Sequence, residues 1–578
     1  MSWTEVPELS AEVTTPSSAK HLAGETAGTF GERQLAPSDA IARAYTELDR
    51  LIASTEPSTR TLSAALAAGV ASHPDRVFLL AGGQELTYAG FERRVAQVAT
   101  ALRDLGVTAG ARVLLMLPNS LDFVLTWFAC ARLNAIQVPV NTAYRGLLLE
   151  HVVENSQARV AIVAPAHVAL FDRTRQPFHD IEHLIAAGDG DAHGTTPTLH
   201  SVLSPHAPDV PVVHAAQSDP SAILYSSGTT GPSKGILLSH HYLWFHAHRI
   251  RLQTGVQAHD RLYTCLPLFH ANAQVLTVAA ALVSGASAVV DERFSASRFW
   301  NRLRETGATR FNYIGGMIPI LMKQPPSEGD RDHRVRVALG AAAPAELFDA
   351  FEKRFGLRLI ESYGQTENCV ALTNPEDARR TGSVGLPVCG FDVEVVDDED
   401  QPVPTGTQGE LVFRPRYPDI MMSGYHRMPE ATVGATKNLW FHTGDLFRRD
   451  SDGYFYFIDR KKDAIRRRGE NISAFEVELV VNSHPAVLES AAYAVPSEVG
   501  EDEVMVAVVV KHGMTLDPLD LIKHCEPQMP YFAVPRYVDI RDELPKTPTH
   551  RVEKYRLRQA GVQPSTWDRE ASGYQLRR

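Results

Sequence analysis

Residues 223–235 read ILYSSGTTGPSKG. Ile223, Leu224 and Tyr225 predict a buried strand, followed by a turn of hydroxyls and glycines that a lysine closes. Gly228, Gly231 and Gly235 let the backbone come close to an anion, and Ser226, Ser227, Thr229, Thr230 and Ser233 offer donors to phosphate oxygens. Lys234 adds a positive charge with reach. A flexible surface turn is the bland alternative, but so many hydroxyls and glycines crowded behind a strand with a lysine argue for an anion cradle. No Ser or Thr follows Lys234, so the stretch is not the GxxxxGK[ST] loop, which disfavours a kinase or P-loop ATPase.

Outward from this strand, apolar runs alternate with amphipathic stretches from about residue 60 to 455. Arg112–Pro118, Arg159–Pro165 and Ser287–Glu292 predict strands, and Val275–Val290 predicts a buried helix leading into one of them. Such alternation predicts an α/β fold with largely parallel sheets. The apolar stretch 275–290 is too short to span a bilayer. Residues 1–60 read as an extension with one helix, Ser38–Ser54, and Ser38 as its candidate N-cap. A charged run, DRKKDAIRRRGE at 459–470, reads as a hinge. Beyond it, a helix near Val477, strands at Ser490–Pro496 and Val504–Lys511 and a second helix suffice for a small α+β domain. The expected division is 61–460 for a large domain, 461–560 for a small one and 561–578 for a tail.

The whole chain, 578 residues with 44% hydrophobic and 22% charged side chains, exceeds what one core usually fills. A net charge of −11 argues against a nucleic-acid partner without excluding a local anion site. The five cysteines are scattered and form no C-x-x-C pair, and MSWTEVPELSAEVTT lacks a signal-peptide core; both readings suit a cytoplasmic protein. Four histidines, His240, His241, His246 and His248, have no metal-site spacing and read as helix surface and capping.

The 223–235 stretch resembles the phosphate-binding signature of the adenylate-forming superfamily of acyl-CoA synthetases, peptide-synthetase adenylation domains and luciferases. Further segments resemble it in order, over roughly residues 60–556. ESYGQTE at 361–367 is similar to the adenine and magnesium segment. The resemblance implies that Ser362 and Tyr363 border adenine, that Thr366 meets the α-phosphate and that Glu367 ligates Mg²⁺. A single carboxylate suits an ion that shares phosphate oxygens. Gly340 and Ala341, in GAAAP, resemble the border between the adenine and acyl sites. Thr443-Gly444-Asp445 resembles the motif whose aspartate holds ribose hydroxyls, and Arg460 the arginine beside it. Lys462 falls where the family carries its hinge residue, and Gly469 in the loop that enters the site for thiol transfer. PLFHANAQ at 267–274 places His270 at the acyl-pocket wall, which FNYIGGM at 311–317 would also line. Together, 459–470 and 470–478 resemble most the crotonobetaine/carnitine-CoA ligase-like branch.

One segment departs from the family's P-K-T-x-x-G-K pattern. Residues 545–551 read PKTPTHR, with His550 for the glycine and Arg551 for the catalytic lysine. Arginine keeps the charge on a bulkier planar fork, and Lys546 and Lys554 are neighbours that also carry the charge. The resemblance implies ATP, Mg²⁺ and coenzyme A as cofactors, and a small-molecule acid or anion as substrate. The expected reaction is adenylation with release of pyrophosphate, followed by transfer to coenzyme A. Two other readings compete with it. One is a natural-product diazotase that activates nitrite towards an arylamine acceptor without coenzyme A; the other is a non-catalytic nucleotide-binding regulator.

Overall fold

The computed structural model describes residues 39–172, 174–175, 177–188, 196–203, 211–226, 233–460, 464–497, 500–546 and 552–577. Two sheets dominate the first 390 residues. A seven-stranded sheet runs in the order 424–425, 234–239, 220–226, 136–139, 112–116, 160–163 and 183–186. It is parallel from 220–226 onward, and 234–239 turns back antiparallel against 220–226. A nine-stranded sheet runs 386–387, 372–373, 358–363, 337–341, 310–314, 261–264, 287–290, 77–81 and 84–87. The central strands of both are short apolar runs because parallel strands are covered on both faces.

One hydrophobic core unites the two. Val113 and Leu115 from the first sheet, Phe311 and Leu339 from the second, and the apolar side chains of helix Leu121–Arg132, buried but for Asp122, belong to the same cluster. Helix Asp39–Ser54 joins it through Leu48 and Ile52, and Tyr45 donates its hydroxyl proton to the carbonyl of Pro387 at 3.0 Å. Ser38 lies outside the described residues. The stretch 275–290 is a π-helical turn, Asn272–Ala279, continued by helix Ala280–Ser284 and strand Ser287–Val290. A third, antiparallel sheet carries strands 391–396, 408–415, 441–449 and 455–460.

Within the charged run, residues 464–467 and 470–473 form an antiparallel hairpin pinned by buried Ile465 and Ile472, so Arg466 and Arg467 belong to a strand, while the expected hinge residue Lys462 lies outside the described residues. The C-terminal sheet has strands 487–496, 502–510, 537–541 and 567–568 around helices Ala474–Asn482 and Pro518–Cys525. Trp567 and Asp568 pair with Val538 and Tyr537, so residues 561–578 are not a mere tail. A second core runs without interruption from Leu114, Val138 and Leu148 to Ile472, Val477 and Met529. The C-terminal sheet is therefore docked on the seven-stranded one through apolar side chains.

The histidine cluster needs correction too. His240, His241 and His246 on helix His240–Thr254 are fully buried, not on the surface. Their rings bond Asn134 Oδ1, the Pro418 carbonyl and the Ile420 carbonyl, and burial pushes His240 and His241 down to about 4 and His248 to about 3. His241 and His246 are neutral struts between this helix and the 417–421 loop, and His240 ties the helix to Asn134. Helical spacing failed to show this because the helix is covered on every side. Among the described residues no helix is long and apolar enough to cross a membrane.

Candidate active site

Strand Pro220–Ser226 delivers Ser226 to the rim of a cavity of about 1380 Å³, and strand Lys234–Ser239 starts directly opposite, Ser226 pairing with Lys234. Ser227, Gly228, Thr229, Thr230 and Gly231 lie outside the described residues, as do Lys462, Arg551 and the side chain of Arg460. Ser226, His270, Gly340, Ala341, Ser362, Thr366 and Gly469 all line this one cavity. Lys234, Tyr363, Glu367 and Asp445 stand outside its wall and connect to it through neighbours.

The first connection is a polar knot at Asp445. Tyr363 donates its hydroxyl to Asp445 Oδ2 at 2.6 Å, and Gln365 Nε2 donates to the same oxygen at 3.0 Å and to the Thr443 carbonyl at 3.0 Å. Gly444, at φ +73°, presents its amide to Glu410 Oε1 at 2.9 Å and turns the strand so that Asp445 faces the knot. Gly364 lets the chain double back, since a Cβ there would sit 1.6 Å from the carbonyl oxygen of Cys369. Thr366, Glu367 and Tyr363 are brought together by that reversal.

The second connection is Tyr425. Its hydroxyl donates to Glu367 Oε1 at 2.9 Å, and the Lys234 ammonium lies 4.5 Å from its ring centroid. One tyrosine thus touches both the candidate magnesium carboxylate and the lysine that closes the loop. Tyr242 fixes the same segment from behind, donating to the Thr366 carbonyl at 2.8 Å. Glu367 is 8% exposed. One carboxylate in such a place fits an ion that takes one or two protein carboxylates and completes its shell with phosphate oxygens and water.

Under the cavity floor, Glu361 accepts the Tyr313 hydroxyl at 2.8 Å and the amide of Ala342, which is held at φ +62°. Burial pushes the Glu361 carboxyl up to about 7. Ser362 donates to the Gly340 carbonyl at 2.7 Å, tying strands 337–341 and 358–363 where both end at the cavity.

The 464–473 hairpin and helix Ala474–Asn482 supply the opposite wall. Gly469, at φ +79°, approaches so closely that a Cβ would meet Ile314 Cδ1 at 2.0 Å. Glu470 Oε2 lies 3.2 Å from His270 Nε2. Glu476 reaches across to Ser233, accepting its amide at 2.9 Å and its hydroxyl. Ser473 caps the helix start by accepting from the Glu476 amide at 3.3 Å. Burial pushes Glu476 up to about 7. Lys546 and Lys554 are not in the wall; they pair with Glu489 and Glu478, each at 2.7 Å.

Tyr425, Gln365, Glu361 and Glu476 were not singled out by their sequence surroundings. Ser-x-x-Glu at 473–476 does read as a helix-start signature. The structure keeps the serine half of it and spends the glutamate on Ser233.

Family comparison closes the identification. Residues 66–426 match the AMP-binding enzyme model and residues 476–551 the AMP-binding enzyme C-terminal domain model. The chain belongs to the AMP-binding enzyme family. The crotonobetaine/carnitine–CoA ligase of Salmonella choleraesuis is 32% identical over 486 residues, 82% of this chain and 93% of that protein. Among solved structures, the anthranilate CoA ligase AuaEII in complex with anthranoyl-AMP is 26% identical, with a TM-score of 0.67 over 86% of this chain and 97% of that one. The amide bond synthetase McbA of Marinactinospora thermotolerans shares the fold at 22% identity, with a TM-score of 0.76 over 86% of this chain and 99% of that one. As an AMP-binding enzyme with CoA ligases among its relatives, the protein is an AMP-forming ligase of the adenylate-forming class, and the reading as a non-catalytic regulator falls away.

Proposed function

We propose that this protein activates a carboxylic acid with ATP, releasing pyrophosphate, and hands the acyl group from the adenylate to the thiol of coenzyme A. The observation that carries the reading is the single cavity shared by Ser226 and Thr366 on one wall and Gly469 and Glu470 on the other. A nucleotide seated at Ser226 and Thr366 would have its reacting end where the C-terminal wall can deliver an acceptor.

Between the two walls, Phe269, Leu276, Phe294, Met317 and Ile320 supply an apolar lining. This supports an acid with an apolar or aromatic body. The likeness to a ligase holding anthranoyl-AMP points the same way. In the first half-reaction the acid's carboxylate attacks the α-phosphorus. The 226–235 loop and Lys234 would hold phosphate oxygens, Asp445 the ribose and the Gly340–Ala341 edge the base, so that rate comes from positioning and charge neutralisation. Glu367, oriented by Tyr425, would hold Mg²⁺, which when bound neutralises phosphate charge.

ATP–pyrophosphate exchange across aryl and aliphatic acids tests the first half, and CoA-dependent thioester formation tests the second. Exchange with an aryl acid and thioester product are expected. Exchange with no acid would overturn adenylation. AMP release that needs nitrite and an arylamine but no coenzyme A would replace the acceptor with an amine.

A further inference from the structure

Among the polar contacts that bridge the two walls of the cavity is that of His270 with Glu470, both of which line it. We propose that these two residues form a general-base dyad that removes the proton from the acceptor nucleophile in the transfer step. The proposal rests on the two-step reading above.

His270 sits in a turn, its amide donating to the Pro267 carbonyl at 3.1 Å, with the Phe269 ring 4.8 Å from its own. Its side chain is 40% exposed to the cavity, and Glu470 is 18% exposed. One ring nitrogen meets the carboxylate at 3.2 Å; the other has no protein partner among the described residues. A carboxylate on one side of an imidazole fixes its tautomer and stabilises the imidazolium, which leaves the opposite nitrogen as the base. Glu470 reaches this place because Gly469 is pressed against Ile314 and its amide is held by Glu501 Oε2 at 3.2 Å. The two partners come from different domains, so the dyad exists when the C-terminal sheet is docked as it is here. Arg293, Arg466, Arg468 and Glu501 are among the charged groups that line the same cavity, and Tyr144 feels the charge of Glu470.

A part-exposed ion pair contributes little to stability, so a tether alone is a weak account of the contact. Chemistry gives it a use. The acceptor sulfur or nitrogen forms a bond to the acyl carbon, the bond from that carbon to the AMP oxygen breaks, and AMP leaves with the electron pair. The acceptor's proton passes to the free ring nitrogen of His270. A thiol is partly ionised near neutral pH with a pKa of about 8.5, so the base matters more as the acceptor becomes less acidic.

The test uses the full chain and compares two rates on each variant: ATP–pyrophosphate exchange and single-turnover transfer from adenylate formed before the acceptor is added. Glu470→Gln is expected to lower the ratio of transfer to exchange by about a hundredfold. It should also shift the pH profile of transfer, and Glu470→Asp should recover part of the loss. The deficit of His270→Ala should shrink with thiols more acidic than coenzyme A. An unchanged ratio in Glu470→Gln, or a deficit independent of acceptor acidity, overturns the dyad. Absence of adenylate from any acid in the unaltered protein overturns the two-step reading and the dyad with it, a different outcome from adenylate that forms and transfers normally in Glu470→Gln.

Discussion

Tyr425 shows how one side chain can serve two charges. Its hydroxyl fixes one oxygen of Glu367 and its ring face carries the Lys234 ammonium, so the carboxylate and the cation of the same site share a single rigid support. These two functions separate by substitution. Tyr425→Phe keeps the ring and loses the hydroxyl, and the Mg²⁺ concentration for half-maximal exchange should rise by about tenfold, the usual cost of losing a partner that orients a metal ligand. Tyr425→Leu loses the ring as well, so ATP affinity without Mg²⁺ should also fall, by about 1 kcal/mol. Titrations of nucleotide with and without Mg²⁺ distinguish the two; equal losses in both variants would show that the tyrosine merely fills space. Nothing near Tyr425 in the chain announces this role. Glu367 is 58 positions away, and the contact exists because strand Gly424–Tyr425 pairs with Ile236 and Leu237 beside Lys234. The motif residues themselves were legible as ordered clusters of hydroxyls, glycines and carboxylates, whereas their supports were not.

At the level of elements, helix Ala474–Asn482 carries the clearest pH signal. Glu476 has an ordinary carboxyl pKa near 4.5 when undocked and about 7 when buried against Ser233, with Tyr144 the titratable group beside it. The docked form therefore binds the proton more tightly. Its contribution is full below pH 4.5 and is lost as pH rises through 7. Glu361, raised to about 7 by burial under the cavity floor, adds to the same trend. The melting temperature should fall between pH 5 and pH 8, and Glu476→Gln, which can still accept both Ser233 donors, should lessen that fall by about 2 °C or more. Scanning calorimetry at several pH values checks it; identical slopes in the two proteins would refute it. Strand legibility follows a similar physical line. Runs such as 112–116 and 287–290 declare themselves because parallel strands are apolar on both faces. Tyr537–Arg541 alternates with charge, and Trp567–Asp568 is two residues long, so neither presents a pattern. The hairpin at 464–473 hides behind its arginines, since Ile465 and Ile472 are its only buried apolar side chains among the described residues and Arg467 is buried beside them without an apolar signal.

In the whole molecule Gly469 and Glu470 stand at the cavity, the arrangement that the proposed transfer step calls for. Lys546 and Val552 bridge one another, and Lys546 and Lys554 are engaged by Glu489 and Glu478 of the same C-terminal domain. Neither lysine belongs to the cavity wall. Adenylation needs a cation near the α-phosphate, and a lysine already held by a carboxylate would have to break that pair to supply it. Arg551 stands where the family resemblance implies a lysine. Arg551→Ala should slow ATP–pyrophosphate exchange by about a hundredfold, the scale of losing one aimed charge or donor in a transition state. Arg551→Lys should restore most of it, because a compact ammonium on a flexible stem can reach the same oxygens. Transfer from a preformed adenylate should be affected far less, since Gly469 and Glu470 hold the cavity in that step. Lys546→Ala and Lys554→Ala should lower the melting temperature slightly and leave exchange near that of the unaltered protein. Were Lys546→Ala or Lys554→Ala to abolish exchange while Arg551→Ala preserved it, the charge would have passed to the neighbour. The lysine–glutamate pairs would then be the resting contacts of a catalytic group.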